Sequence, residues 1–185
     1  MYEVELKVRA AHEAVRPALD AAGASERETV EQRDVYFDAP HRDLASRDEA
    51  LRLREETDTG GTTAVLTFKG PRLDRESQTR TEYETAIGSP AELKTALEAL
   101  GFEPAATVEK TRERFELDGF TVSLDSVAEL GEFVEVETTA SEADIEQAQR
   151  AVAATLERLG LDPEAQISTS YLELLLDESN GSEPE

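Results

Sequence analysis

Apolar and charged residues alternate from the start of the chain. Val4, Leu6 and Val8 interleave with Glu3, Glu5, Lys7 and Arg9. Period two predicts a β-strand with one apolar and one charged face. Further strands are predicted over 29–37, 50–56, 63–69, 80–87, 107–117, 120–126 and 132–139. Asp38-Ala39-Pro40, Gly60-Gly61 and Asp118-Gly119 supply turns between them. A 3.6-residue period predicts helices over 11–22, from Ser89-Pro90 to Leu100, and from Ser141 to Leu159, each closed by a glycine. Pro17 predicts a late start or a kink in the first of them. Ser89 and Ser141 are placed to cap the other two. Residues 167–176 read as a short helix docking on the sheet, and the charged stretch 70–79 as a loop that serves either as a lid or as a plain connection. A weak repeat sets a β-branched residue seven positions after each helix-ending glycine: Gly23/Val30, Gly101/Val108 and Gly160/Ile167. The sum is an α+β fold of mostly antiparallel strands. Eight such strands can close into a barrel with flanking helices. One domain over 1–176 and an acidic, disordered tail over 177–185 complete the expectation.

The polar strand faces change this picture. Arg52 and Arg54 flank Leu53, Glu82 and Glu84 flank Tyr83, Glu135 and Glu137 flank Val136, and Lys110, Arg112 and Arg114 form a basic row. On one strand face, residues i and i+2 stand about 6.6–6.8 Å apart, where two carboxylates repel by roughly 2 kcal/mol at an effective dielectric of 20. On a surface that cost is screened. Inside a closed sheet, cations must offset it. Such an interior suits a polyphosphate with a metal ion. Hard carboxylate ligands favour Mg²⁺ or Mn²⁺. The Arg forks and Lys charges match phosphate oxygens.

Composition narrows the partners. The chain has 42 acidic and 19 basic residues, a net charge of −23, and of its basic residues only 4 are Lys. That balance repels nucleic acid and anionic lipid, so neither is expected as a partner. It resembles the composition of proteins from salt-accumulating halophiles. There is no cysteine, hence no thiolate chemistry. The charged start and the lack of any long apolar run predict a cytoplasmic protein. Neither a Walker motif nor a Gly-x-Gly-x-x-Gly turn is present, and no Ser-His-Asp set is suggested. His12 and His41 are not expected to be ligands or bases.

Glu3-x-Glu5-x-Lys7 resembles the N-terminal signature of the CYTH superfamily, the triphosphate tunnel metalloenzymes. The likeness continues through Gln32-x-Asp34-x-Tyr36-Phe37-Asp38, Glu49-Ala50-Leu51-Arg52-Leu53-Arg54 and Leu66-Thr67-Phe68-Lys69-Gly70-Pro71. It ends with Arg80-x-Glu82-x-Glu84, Lys110-x-Arg112, Leu124-Asp125-x-Val127, Gly131-x-Phe133-x-Glu135-x-Glu137 and Ser170-Tyr171-x-Glu173-Leu174-Leu175. The resemblance implies an eight-stranded antiparallel tunnel with a charged interior, binding a small-molecule triphosphate with Mg²⁺ or Mn²⁺. It implies Glu3, Glu5, Glu135, Glu137 and Asp125 as metal ligands. Lys7, Arg52, Arg54, Lys69, Arg80, Lys110 and Arg112 become phosphate-binding residues. Glu5, Lys69, Lys110 and Arg112 are the expected catalytic set. Around Tyr36–Leu44 and Lys69–Asp74 the chain looks most like the class IV adenylate cyclase branch, and family precedent implies a homodimer. Phe68, where Tyr is common, and Thr81 after Arg80 are mild departures. A triphosphatase and a non-catalytic triphosphate-binding module are the alternatives.

One prediction follows from the charge alone. Raising KCl from ~0.1 M to ~1 M shortens the Debye length from about 10 to 3 Å and screens the self-repulsion. The thermal midpoint should therefore rise with salt, as followed by circular dichroism; a midpoint that falls would remove self-repulsion as a limit on stability.

Overall fold

The computed structural model describes residues 2–72 and 79–180, with side chains to 177. Its strands are β1 (Tyr2–Arg9), β2 (Ser25–Asp38), β3 (Ala50–Asp58), β4 (Gly61–Arg72), β5 (Arg80–Ala86), β6 (Glu103–Leu117), β7 (Phe120–Val127) and β8 (Gly131–Ala140). Helices α1 (His12–Ala22), α2 (Pro90–Ala99), α3 (Ile145–Arg158) and α4 (Tyr171–Asn180) flank them. The strands close into a barrel in the order β1-β5-β4-β3-β2-β6-β7-β8, with every neighbouring pair antiparallel. Among the described residues the seam between β1 and β5 pairs Tyr2 with Thr81 and Glu3 with Arg80.

Two of the three hydrophobic clusters lie outside this barrel. Val4, Leu6 and Val8 of β1 pack with Val122 and Leu124 of β7 and Val134 and Val136 of β8. They meet Val15 and Leu19 of α1 and Val152 and Leu156 of α3. A second cluster sets Val35, Phe37, Leu53 and Ala64 under Leu97 of α2. Strand alternation then sends the other face inward. The charged rows are therefore interior by the same parity that makes the apolar rows exterior. A third cluster, Val108, Val127, Leu130, Phe133 and Tyr171, joins the barrel to α4.

Several boundaries differ from expectation. β4 runs on through Gly70, Pro71 and Arg72, so the loop expected over 70–79 is strand at its start, and 73–78 lie outside the described residues. A Cβ at Gly70 would meet the Thr81 hydroxyl at 2.5 Å, so only glycine fits beside the neighbouring strand. The link expected over 57–62 shrinks to Thr59–Gly60, because Thr57 and Thr62 already pair across the hairpin. α1 continues through Pro17. Ser89 makes no side-chain cap, although Pro90 opens α2 as expected. Ser141 donates its hydroxyl to Asp144 and accepts no backbone N–H as a cap, and a 3₁₀ turn over Glu142–Asp144 precedes α3. Two of the three repeat glycines do lead from a helix into β2 and β6, which are barrel neighbours. After Gly160 the chain makes only a single bridge, Gln166 with Val8. α4 begins at Tyr171 and extends to Asn180, four residues into the stretch read as tail; 181–185 lie outside the described residues. No helix among the described residues is long and apolar enough to cross a membrane.

Leu156 is fully buried between α3 and the barrel wall. Leu156→Ala should cost about 2–5 kcal/mol in urea unfolding, the range for deleting a buried leucine. A loss under about 0.5 kcal/mol would mean that the exterior core carries little of the stability.

Candidate functional site

The inward side chains line one cavity of about 720 Å³ running through the barrel. Every charged residue expected in the site lines it except Asp125. The charges are sorted by wall. Carboxylates come from three adjacent strands: Glu82 and Glu84 on β5, Glu3 and Glu5 on β1, and Glu135 and Glu137 on β8. Cations come from the opposite arc: Lys69 on β4, Arg52 and Arg54 on β3, and Lys110 and Arg112 on β6.

The exceptions to this sorting are met by neighbouring strands and turns, and Arg80, on β5 of the acidic arc, stands 3.8 Å from Asp48. Lys7 stands on the acidic arc but pairs in register with Glu135. Asp34, on β2 among the cations, accepts from Arg54 Nε at 2.7 Å and Nη2 at 2.6 Å, and stands 3.8 Å from Arg52. Burial works against its charge, but Arg52 and Arg54 outweigh burial and hold the carboxyl well below the usual range. Asp125 accepts from Lys110 at 2.8 Å, from Arg112 at 2.6 and 2.5 Å and from the Tyr171 hydroxyl at 3.0 Å. Burial again opposes its charge, and Arg112 and Lys110 prevail. Glu135 takes a further bond from Arg112. Lys69 bonds Glu82 across the β4–β5 pair.

Three carboxylates are left. Glu3, Glu5 and Glu137 offer oxygens that all lie within 4.8 Å of one another. Burial raises the Glu3 carboxyl to about 9, with Lys69 pulling the other way and Glu82 and Glu5 adding to the rise. Burial likewise raises Glu5 to about 7, helped by Glu135 and resisted by Lys7. Without a further cation this group must hold a proton near neutral pH. Three hard oxygens short of positive charge fit a divalent ion of the Mg²⁺ or Mn²⁺ kind. Asp125, expected beside them, is committed instead to Lys110, Arg112 and Tyr171. Glu135 lines the same cavity with its charge turned to Arg112.

On the basic side, burial and the adjacent Arg112 lower Lys110 to about 8, so it is poised to exchange a proton near neutral pH. Its ammonium stands 4.7 Å from the centre of the Tyr171 ring, and that of Lys7 stands 4.2 Å away. Arg80 donates to the Gly70 carbonyl at 3.3 Å. Asp34 and Tyr171 both line the cavity, and residue-by-residue reading left them without a role. The parity of Gln32-x-Asp34-x-Tyr36 marked Asp34 as inward. Nothing local marked Tyr171, which enters the barrel from a helix. His12 is buried under α1, with Nε2 3.1 Å from the Phe133 carbonyl, and does not line the cavity.

Comparison with known proteins agrees with this geometry. The family model described as CYTH domain matches residues 1–171. A Methanocaldococcus jannaschii protein, provisionally named an adenylate cyclase, is 33% identical over 178 residues, covering 94% of this chain and 98% of its own. Adenylate cyclase CyaB of Aeromonas hydrophila is 28% identical over 182 residues, covering 96% and 90%. The solved structure of the PH1819 protein from Pyrococcus horikoshii OT3 superposes with a TM-score of 0.88 at 35% identity, covering 95% of this chain and 99% of that one.

The raised carboxyls carry a prediction with a definite sign. Below their raised values Glu3 and Glu5 hold protons that a bound cation expels, so metal affinity should climb with pH and level off above about 9. Titration of the metal-free protein with Mg²⁺ at pH 7, in buffers of differing ionisation enthalpy, should show release of about one proton, falling toward zero at pH ~10. Proton uptake, or release that grows with pH, would contradict the three-carboxylate site.

Proposed function

The chain belongs to the CYTH domain family, and from that premise we propose that it is a divalent-metal-dependent enzyme acting on a triphosphate in the tunnel. In the finer reading it converts ATP to cyclic AMP and pyrophosphate. The observation that carries the proposal is the opposition of walls: Glu3, Glu5 and Glu137 converge on one side, and Arg52, Arg54, Lys69, Lys110 and Arg112 face them. The cyclase reading takes its support from the relatives of Methanocaldococcus jannaschii and Aeromonas hydrophila, whose names carry that activity.

Glu3, Glu5 and Glu137 would hold the ion, Mg²⁺ or Mn²⁺, with Glu135 next to them. When bound, such an ion neutralises charge and makes an attacking hydroxyl more acidic. The protein's own part is to bind and to orient. Arg52 and Arg54 are fixed by Asp34, and Arg112 is fixed by Asp125 and Glu135, so their donors are set before a substrate arrives. Lys69 and Lys7 add point charge on either side. Held in this way, the triphosphate presents its α-phosphorus to the ribose 3′-hydroxyl. The arginines take up the charge that gathers on the pyrophosphate as the P–O bond breaks. Lys110, lowered to about 8, can receive the hydroxyl proton.

The test supplies the purified protein with Mg²⁺ or Mn²⁺ in high salt, and with ATP, tripolyphosphate or thiamine triphosphate. Cyclic AMP with pyrophosphate is the expected product from ATP. Orthophosphate without cyclic AMP would replace the cyclase reading by a triphosphatase in the same tunnel. Binding without any product would leave a triphosphate-binding module. Glu5→Gln and Glu137→Gln should each lose roughly a hundredfold or more in kcat/KM while remaining folded. Full turnover in both variants would overturn the tunnel-metal reading.

A further inference from the structure

The cavity does not end where its cations end. Beyond Lys69 and Arg80 it is bounded by α4, through Leu172 and Leu176, and by Ala45 and Ala50 on the segment leading into β3. Leu172 and Leu176 stand one helical turn apart on the same face of α4. Leu176 lines the cavity and is 46% exposed, so much of its apolar surface is left uncovered among the described residues. Tyr36 also lines the cavity, opposite Arg52 in the β2–β3 register.

The charges at this end are already matched. Asp48 accepts from Arg72 Nε at 3.0 Å and from its backbone amide at 2.8 Å. Arg72 also donates to the Ser168 carbonyl at 2.6 Å. Glu49 stands 3.0 Å from Arg42 and 3.4 Å from Arg47. Glu173 adds a further carboxylate at the same end. These cations are engaged and the lining is acidic and apolar, so a fourth phosphate finds no welcome here. An uncharged or cationic organic group does.

We propose that Leu172 and Leu176 of α4 form the seat for the organic group of a triphosphate ester whose phosphates lie against the arginine and lysine wall. The inference rests on the triphosphate reading of the tunnel but not on cyclase chemistry. Its basis is continuity: one cavity is lined both by the cations and by Leu172 and Leu176, of which Leu172 packs on the Phe133 cluster and Leu176 is left partly uncovered among the described residues. The seat makes the tunnel select an organic triphosphate over a bare inorganic one. Tyr36 supplies a ring face on which a planar base can stack.

The seat is tested by binding, with α,β-methylene-ATP and tripolyphosphate as the probes, each titrated in the presence of Mg²⁺. In Leu176→Ser the ratio of the two dissociation constants should move about tenfold toward tripolyphosphate, the change expected for losing one well-buried apolar contact. Leu176→Met, which keeps the apolar bulk, should restore the ratio. The side chain is half exposed, so these changes spare the packed core. A ratio that stays constant, whether both affinities hold or both fall together, overturns the seat while the triphosphate reading stands. Failure of the wild-type protein to bind either probe overturns that reading, and the seat with it.

Discussion

A charge can leave water only when another charge or a set of hydrogen bonds meets it, and this barrel takes more than ten charged side chains off its surface. That constraint orders the rest of the fold. With ionic groups lining most of the interior, the two clusters under α1, α2 and α3 sit between the outer barrel wall and its helices, and only the cluster around Val108, Val127, Phe133 and Tyr171 shares the inward face. α1 and α3 cover β1, β7 and β8, α2 covers β2, β3 and β4, and α4 packs on the apolar end marked by Phe133 and Val127. The helices therefore do for this barrel what the interior does for an ordinary one.

Pairing inside the tunnel is deliberately incomplete. Asp34 and Asp125 each spend their oxygens on two cations, and this fixes Arg52, Arg54, Lys110 and Arg112 as a rigid cationic surface. A flexible arginine would lose conformational entropy on meeting a phosphate; one already held by a buried aspartate loses less. On the acidic arc burial outweighs the pull of Lys69 on Glu3 and of Lys7 and Lys69 on Glu5, and both carboxyls are raised. Positive charge thus meets Asp34 and Asp125 in full and falls short at Glu3 and Glu5.

Strand parity made much of this legible in the sequence. Glu3-x-Glu5-x-Lys7 and Arg52-x-Arg54 had to share a face, and the eight strands were found within a few residues of their ends. What parity cannot supply is which strand stands beside which. β1 closes on both β5 and β8, far away in the chain, and only that order gathers six carboxylates onto one arc. Asp125 shows the same gap. The family likeness alone set it among the metal ligands, and its neighbours across the β6–β7 hairpin are Lys110 and Arg112. Side-chain capping by Ser89 was lost to tertiary context, which local propensity does not register. Tyr171 was hidden for another reason. A helix docks in a direction that its own sequence does not state, so nothing local announced a ring lying beside two lysines.

The opposition of walls also limits what the tunnel can distinguish. In the reading proposed above, cations on one arc and carboxylates on the other would fix a triphosphate across the barrel, with a metal ion between phosphate and Glu3, Glu5 or Glu137. They say little about its position along the barrel, because Lys69, Arg52 and Lys110 offer phosphate oxygens a continuous basic surface. Attack at one phosphorus or another depends on that lengthwise register. The register must then come from a contact at an end of the tunnel, where the wall charges stop and α4 begins. In that reading, chemistry would rest on the barrel interior and substrate choice on α4, whose Tyr171 also reaches that interior through Asp125.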